Sequence, residues 1–216
     1  MVSKRLTTQK AVGVMAVISE DARTLLRSLG SQRLHAKYMT GASEAMMASV
    51  RLTHAESDQD FASVHALATA ELGPGLASLE EIKRVDRLTG ASIWVIRRKG
   101  DVTGFLAPLA LTSAGVAALV DDTFDAANID QKWVARVGEP LAGFYCWCYA
   151  GKDQVSRGAL VLGLRTLIDR HFPDLPFFGR DSTDAGGRIM RHLGFFPFDS
   201  TPHLFWRCAS VMEMAA

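Results

Sequence analysis

The segment Tyr149-Ala-Gly-Lys-Asp-Gln-Val-Ser-Arg-Gly-Ala159 holds the residue types and spacing best suited to chemistry in this chain. An apolar, aromatic run, Leu141-Ala-Gly-Phe-Tyr-Cys-Trp-Cys-Tyr149, leads into it, and a helix-forming segment leads out. Where a buried strand turns into a helix, the first helical amides lack partners and carry the positive end of the helix dipole. Such a start attracts a diphosphate. Gly158 and Ala159 let phosphate oxygens approach the backbone, and Lys152 and Arg157 add charge. Other strand-to-helix turns share this pattern, so a second signal is needed.

The elements that must position this turn can be read from periodicity and punctuation. Residues 1–48 read as an N-terminal helical extension. Ser19-Glu-Asp opens one helix that Gly30 ends, and a second segment runs from Leu34 to Met47. The main domain spans residues 49–216. Ser49–Ala55 alternates like a strand, and Ser57-Asp-Gln-Asp opens a helix through Leu72. Gly73-Pro-Gly75 breaks the chain, and Ser78 with Glu81 has capping-box spacing for the next helix. A hairpin turns at Lys99-Gly-Asp101, and Thr112 caps a short helix. The run Leu141–Tyr149 reads as a central strand buried on both faces. Leu160 to His171 is helical by its apolar stripe, Phe177–Gly179 a short strand, Asp184–Leu193 a helix closed by Gly194, and His203–Cys208 a last strand. This order predicts an α/β (α+β) protein, with a mixed sheet covered by helices on both faces.

Composition narrows the function classes. The 216 residues are 48% hydrophobic and 22% charged, enough to bury a real core. Twenty-four basic and 23 acidic side chains nearly cancel, which argues against nucleic acid or an anionic membrane as a partner. No apolar stretch reaches the ~20 residues of a membrane span. The basic start and the apolar run Ala11–Ile18 lack a small-residue cleavage site before Glu20, so a cytoplasmic location is expected. Three cysteines are an odd number and make no disulfide framework. Cys146 and Cys148, two apart on a strand, are expected on one face and without the partners of a metal site.

The second signal is a resemblance. Gln154-Val-Ser-Arg-Gly-Ala159 resembles the Gln/Arg-x-x-Gly-x-Gly/Ala acetyl-CoA signature of the GNAT superfamily of N-acetyltransferases. Phe178-Gly-Arg-Asp-Ser-Thr-Asp-Ala-Gly-Gly-Arg-Ile-Met-Arg-His-Leu-Gly-Phe195 is similar to that family's fifth strand and following helix, which often end in Leu-Gly-Phe. The resemblance covers roughly Ser49 to Arg207. The sequence departs from the family at three points. Arg157 stands at the first signature glycine, Phe195-Phe-Pro-Phe198 has no hydroxyl where many members carry a tyrosine, and the central strand has no acidic base.

The resemblance implies a mostly antiparallel central sheet with a splayed central strand pair, Gly143–Tyr149 and Pro176–Gly179. It further implies acetyl-CoA or another acyl-CoA as cofactor, held by Cys148, Tyr149, Ala150, Gln154, Val155, Ser156, Arg157, Gly158, Ala159 and Arg188. The function it implies is acyl transfer, mainly of acetyl, to a small-molecule or peptide amine, in a chain that pairs as a homodimer in many relatives. A backbone amide near Cys148 would hold the carbonyl oxygen as it becomes an oxyanion.

Tyr149, nearest the strand end, is the first candidate general acid, against the plainer account of a packed strand residue. Cys148 is either core or the nucleophile of a two-step transfer. His203 lines the acceptor side or sits on the surface. Asp181 and Asp184 read as helix caps, and Arg188 as a cofactor contact or a solvated cation. The loop Asp121–Val137 is a candidate cover for the acceptor site. Two alternatives stay open, a non-catalytic acyl-CoA-binding module of the same fold and an acyl-homoserine-lactone-synthase-like enzyme.

Overall fold

A computed structural model describes residues 32–33, 52–198, 201 and 203–208. The helices expected within residues 1–48 lie outside the described residues. Of that region only β1, Gln32–Arg33, is described, paired antiparallel with β5, Pro140–Leu141.

Among the described residues, seven strands form the main sheet: β2 (Leu52–His54), β3 (Trp94–Arg98), β4 (Asp101–Leu111), β6 (Gly143–Gly151), β7 (Phe177–Arg180), β8 (Phe196–Pro197) and β9 (Leu204–Arg207). Their spatial order is β2-β3-β4-β6-β7-β9-β8, and every neighbouring pair is antiparallel except β6 and β7. The helices are α1 (Asp58–Leu72), α2 (Leu79–Thr89), α3 (Ser113–Val120), α4 (Gln154–Thr166) and α5 (Asp184–His192). They cover both faces, which is the mixed, mostly antiparallel α/β architecture expected.

Local chemistry explains the element ends. Ser57 and Asp60 close a reciprocal capping box on α1, and the Ser78 hydroxyl accepts from the Glu81 amide on α2. Lys99 and Gly100, both at positive φ, form the two-residue turn that matches the twist of the β3–β4 hairpin. Helix α4 begins at Gln154, earlier than the apolar stripe from Leu160 suggests, because Asp153 caps it. After Thr166 it widens into one π-helical turn, Leu167–His171.

One face of the sheet packs on α4 and α5 through Leu106, Phe144, Cys146, Leu160, Leu164, Phe177 and Met190. Phe144 stacks on Phe177 at 4.8 Å between ring centres. The other face packs on α1 and α2 through Val64, Ile82, Val95 and Phe105, and on α3 through Leu109, Tyr145, Phe178 and Trp206.

A bulge in β6 reorders these faces. Pro108 of β4 pairs with Cys146 while its neighbour Ala107 pairs with Cys148, so Trp147 is the extra residue. Pro108 has no amide to give a regular ladder, which makes this the place where the register slips. The expectation that Cys146 and Cys148 share a face is therefore corrected. Cys146 lies in the core under α4, whereas Cys148 packs with Trp147 on the α1–α2 side.

Candidate functional site

The central strands part company. β6 and β7 are in register only over Phe144–Phe177, Tyr145–Phe178 and Cys146–Gly179. β7 ends at Arg180, whereas β6 runs on to Gly151, still paired with β4 on its other edge. Among the described residues, the β7-facing edge of residues 147–151 therefore has no strand partner, as the splayed pair implied by the resemblance would leave it. At Gly179 a Cβ would stand 2.6 Å from the Met190 methyl, the far end of a flexible side chain, which would have to shift to admit it.

At the end of β6 the chain enters α4. The Asp153 carboxylate caps the helix, accepting from the Ser156 amide at 2.7 Å, and its other oxygen accepts from Arg98 at 2.6 Å. Ser156, then Arg98, hold this carboxyl below the usual carboxylate range. The Ser156 hydroxyl donates to Thr103 at 3.0 Å, and Arg157 Nε donates to the Gly151 carbonyl at 2.8 Å. Arg157 also sits 3.6 Å from Glu71. These contacts correct the expectation of a bare amide cradle across Gln154–Ala159. An anion of the chain's own takes the Ser156 amide, and Arg157 is tied to the strand end. What stays open is the exposed start at Gln154 and Val155, together with Gly158, where a Cβ would meet nothing within 4 Å.

Gly158 borders a groove with about 710 Å³ of empty space, open to solvent, between α4 and the end of α5. Its walls include Val161, Leu162 and Arg165 from α4, His192, Leu193 and Gly194 from the end of α5, and Arg207 from β9. Arg207 donates from Nη2 to Asp169 at 2.6 Å, but its Nε is buried and has no hydrogen-bond partner. Leaving such an N–H unsatisfied costs about 1–3 kcal/mol, which a ligand oxygen would recover. Arg165 and Arg207, which share Asp169, stand with His192 around an open helical glycine, a set of donors suited to a phosphate-bearing cofactor. Arg188 is exposed on α5 and does not line this groove; His192, one turn further on, does.

The expected catalytic side chains separate. Tyr149 is half-buried against the α4-side core at the unpaired end of β6. Burial, with smaller contributions from Cys146 and Cys148, pushes its hydroxyl up to about 12, so it is a protonated donor at neutral pH. Burial also pushes the Cys148 thiol far up. A thiol held neutral is a poor nucleophile, which argues against the two-step role for its side chain. Ala150 is buried and paired with Phe105.

His203 is exposed, at φ 62°, and its Nδ1 lies 2.8 Å from Asp181 Oδ1. Asp181 is thus a partner of His203; the cap of α5 is Thr183, which accepts from Gly186. The pair sits just past the C-terminal end of β7, the same end of the sheet at which β6 delivers Tyr149.

On the opposite face, Trp147 and Cys148 border an apolar pocket with about 530 Å³ of empty space, walled by α1, α2, β4 and the loop residues Ala126 and Ala127. That loop is pinned as a roof. Trp147 Nε1 donates to the Ala126 carbonyl at 2.8 Å, and the Ile129 amide donates to Glu81 at 2.8 Å. Arg84 grips both Glu81 and the Ile129 carbonyl, and its guanidinium holds the Glu81 carboxyl below its ordinary value.

Sequence reasoning missed Arg165, His192 and Arg207. Arg165 carried a readable signal, since it stands two helical turns from Gly158 on the same side. His192 and Arg207 come from distant elements and carried none. Arg180 was missed as well; it ends β7 with a buried, unpartnered Nε while its Nη2 donates to Asp122 at 2.7 Å.

No family model matches the chain, and no curated protein matches it. Among solved structures it is similar to the crystal structure of Ard1 from Thermoplasma volcanium. The two are 15% identical, with 72% of this chain and 95% of that chain covered and a TM-score of 0.45. Among the described residues no helix is long and apolar enough to cross a membrane.

Proposed function

We propose that this protein is an acyl-CoA-dependent N-acyltransferase. The observation that carries the reading is the parting of β6 from β7 after Cys146 and Gly179, which leaves a strand edge open beside the start of a helix. The pantetheine arm would lie along the free edge at Cys148, Tyr149 and Ala150. The phosphates would lie against Gln154, Val155, Gly158 and the side chains of Arg165, His192 and Arg207 in the neighbouring groove.

In the reaction, the lone pair of an amine attacks the thioester carbonyl carbon, and the carbonyl oxygen takes up negative charge until the C–S bond breaks. A proton leaves the amine and one reaches the departing sulfur. Tyr149, protonated at neutral pH, would supply the second. His203, with Nδ1 engaged by Asp181, keeps Nε2 available for the first. Holding amine and thioester in register accounts for much of the rate in such a site.

The second reading, an acyl-CoA-binding module without turnover, is favoured by one observation. No carboxylate or imidazole lies on β6, and the candidate base His203 is held on the exposed rim. One measurement separates the two. The protein is incubated with acyl-CoA and a panel of amines, and free thiol is followed alongside the melting temperature. Release of thiol that depends on one amine supports the enzyme. A raised melting temperature with no thiol from any amine supports the binding module. No effect of CoA on either readout removes both.

A further inference from the structure

Resting on the acyl-CoA reading above, we propose that the apolar pocket beneath Trp147 and Cys148 receives the acyl chain of the donor, and that this chain is longer than acetyl. The β6 bulge is the origin of the pocket. By inserting Trp147, it turns two successive side chains toward α1 and α2, and Cys148 comes to border the cavity while its backbone belongs to the unpaired strand edge. A thioester lying along that edge therefore opens directly into the cavity.

The walls select hydrocarbon. Phe105, Ala107, Ala68 and Ala126 stand around the space with Trp147 and Cys148, and among the described residues no charged side chain lines it. The Trp147 indole N–H is already spent on the Ala126 carbonyl. A protonated amine entering here would lose its hydration and meet no acceptor, which is costly. An acyl chain needs no polar partner and gains by leaving water. Alanines where larger residues would close a core leave the room for it.

The test titrates the full-length protein with CoA and with acetyl-, butyryl-, hexanoyl- and octanoyl-CoA by calorimetry. Affinity is expected to rise with chain length from acetyl to hexanoyl, by up to about fourfold per buried methylene. Ala68→Phe, which fills the cavity from α1, is expected to abolish that rise. Should this variant fail to fold by circular dichroism, Ala126→Leu fills the same space from the loop. Equal affinity for all four thioesters in a protein that binds CoA overturns the pocket assignment and leaves the acyl-CoA reading standing. Absence of binding by CoA and every thioester overturns both.

Discussion

Tyr149 illustrates how one position can be legible in type and illegible in environment. Its place at the end of an aromatic strand marked it as the hydroxyl nearest any pocket. How far its hydroxyl is pushed up, though, depends on burial against the α4 side of the core. Tyr149→Phe is expected to lower kcat by about 10²-fold or more while KM for the acyl-CoA holds, as removal of a proton donor does. Because the hydroxyl titrates near 12, the wild-type rate should show no alkaline fall due to this group below about pH 10. Turnover by the phenylalanine variant equal to wild type takes the tyrosine out of the chemistry. At Cys148, a residue type capable of covalent catalysis, the surroundings that the bulge imposes push the thiol up and favour its neutral form.

At the scale of elements, α4 carries two opposed features. Asp153 caps it with the chain's own carboxylate, whereas Gly158 sits within it with nothing near its missing side chain. A glycine inside a helix costs roughly 0.5–1 kcal/mol relative to alanine. No contact within the protein requires it here, in contrast to Gly115, where a Cβ would collide with the Trp133 carbonyl at 2.1 Å. The cost is explained if a ligand must approach the helix at this point. Gly158→Leu is accordingly expected to raise the melting temperature of the free protein by a degree or more and to weaken CoA binding by at least about tenfold. Loss of stability together with unchanged CoA affinity would refute that account of the glycine.

The whole molecule is held together partly by polar contacts that bridge elements far apart in sequence. Asp60, buried on α1, accepts from the Ser57 and Glu56 amides and pairs with Arg97 of β3 at 2.7 Å. Burial raises its carboxyl, but Arg97 and the two amides together outweigh that and bring it down to about 2, against 3.8 unperturbed. The folded value lies below the unfolded one, so the contribution to stability is complete above pH 3.8 and is lost as pH falls toward 2. The shift corresponds to about 2 kcal/mol. Denaturant unfolding of wild type and Asp60→Asn should therefore differ by about this amount at neutral pH, with the gap closing through the acid range. A gap independent of pH would mean that the contact acts through packing alone.

The linear order of residues was enough to establish the alternation of strands and helices, the caps at Ser57, Ser78 and Thr112, the hairpin at Lys99-Gly100, and the strand-to-helix junction around Gly158. These depend on neighbours a few positions apart, and local propensity and periodicity record them. The tertiary structure alone decided the rest. Pairing with Pro108 made Trp147 a bulge and sent Cys146 and Cys148 to opposite faces. The chain's own Asp153 and Gly151 claimed Ser156 and Arg157. His203 found Asp181, and His192 and Arg207 joined Arg165 in one groove. Each of these requires segments brought together across the sheet, and separation along the chain carries no trace of which distant backbone or charge will arrive.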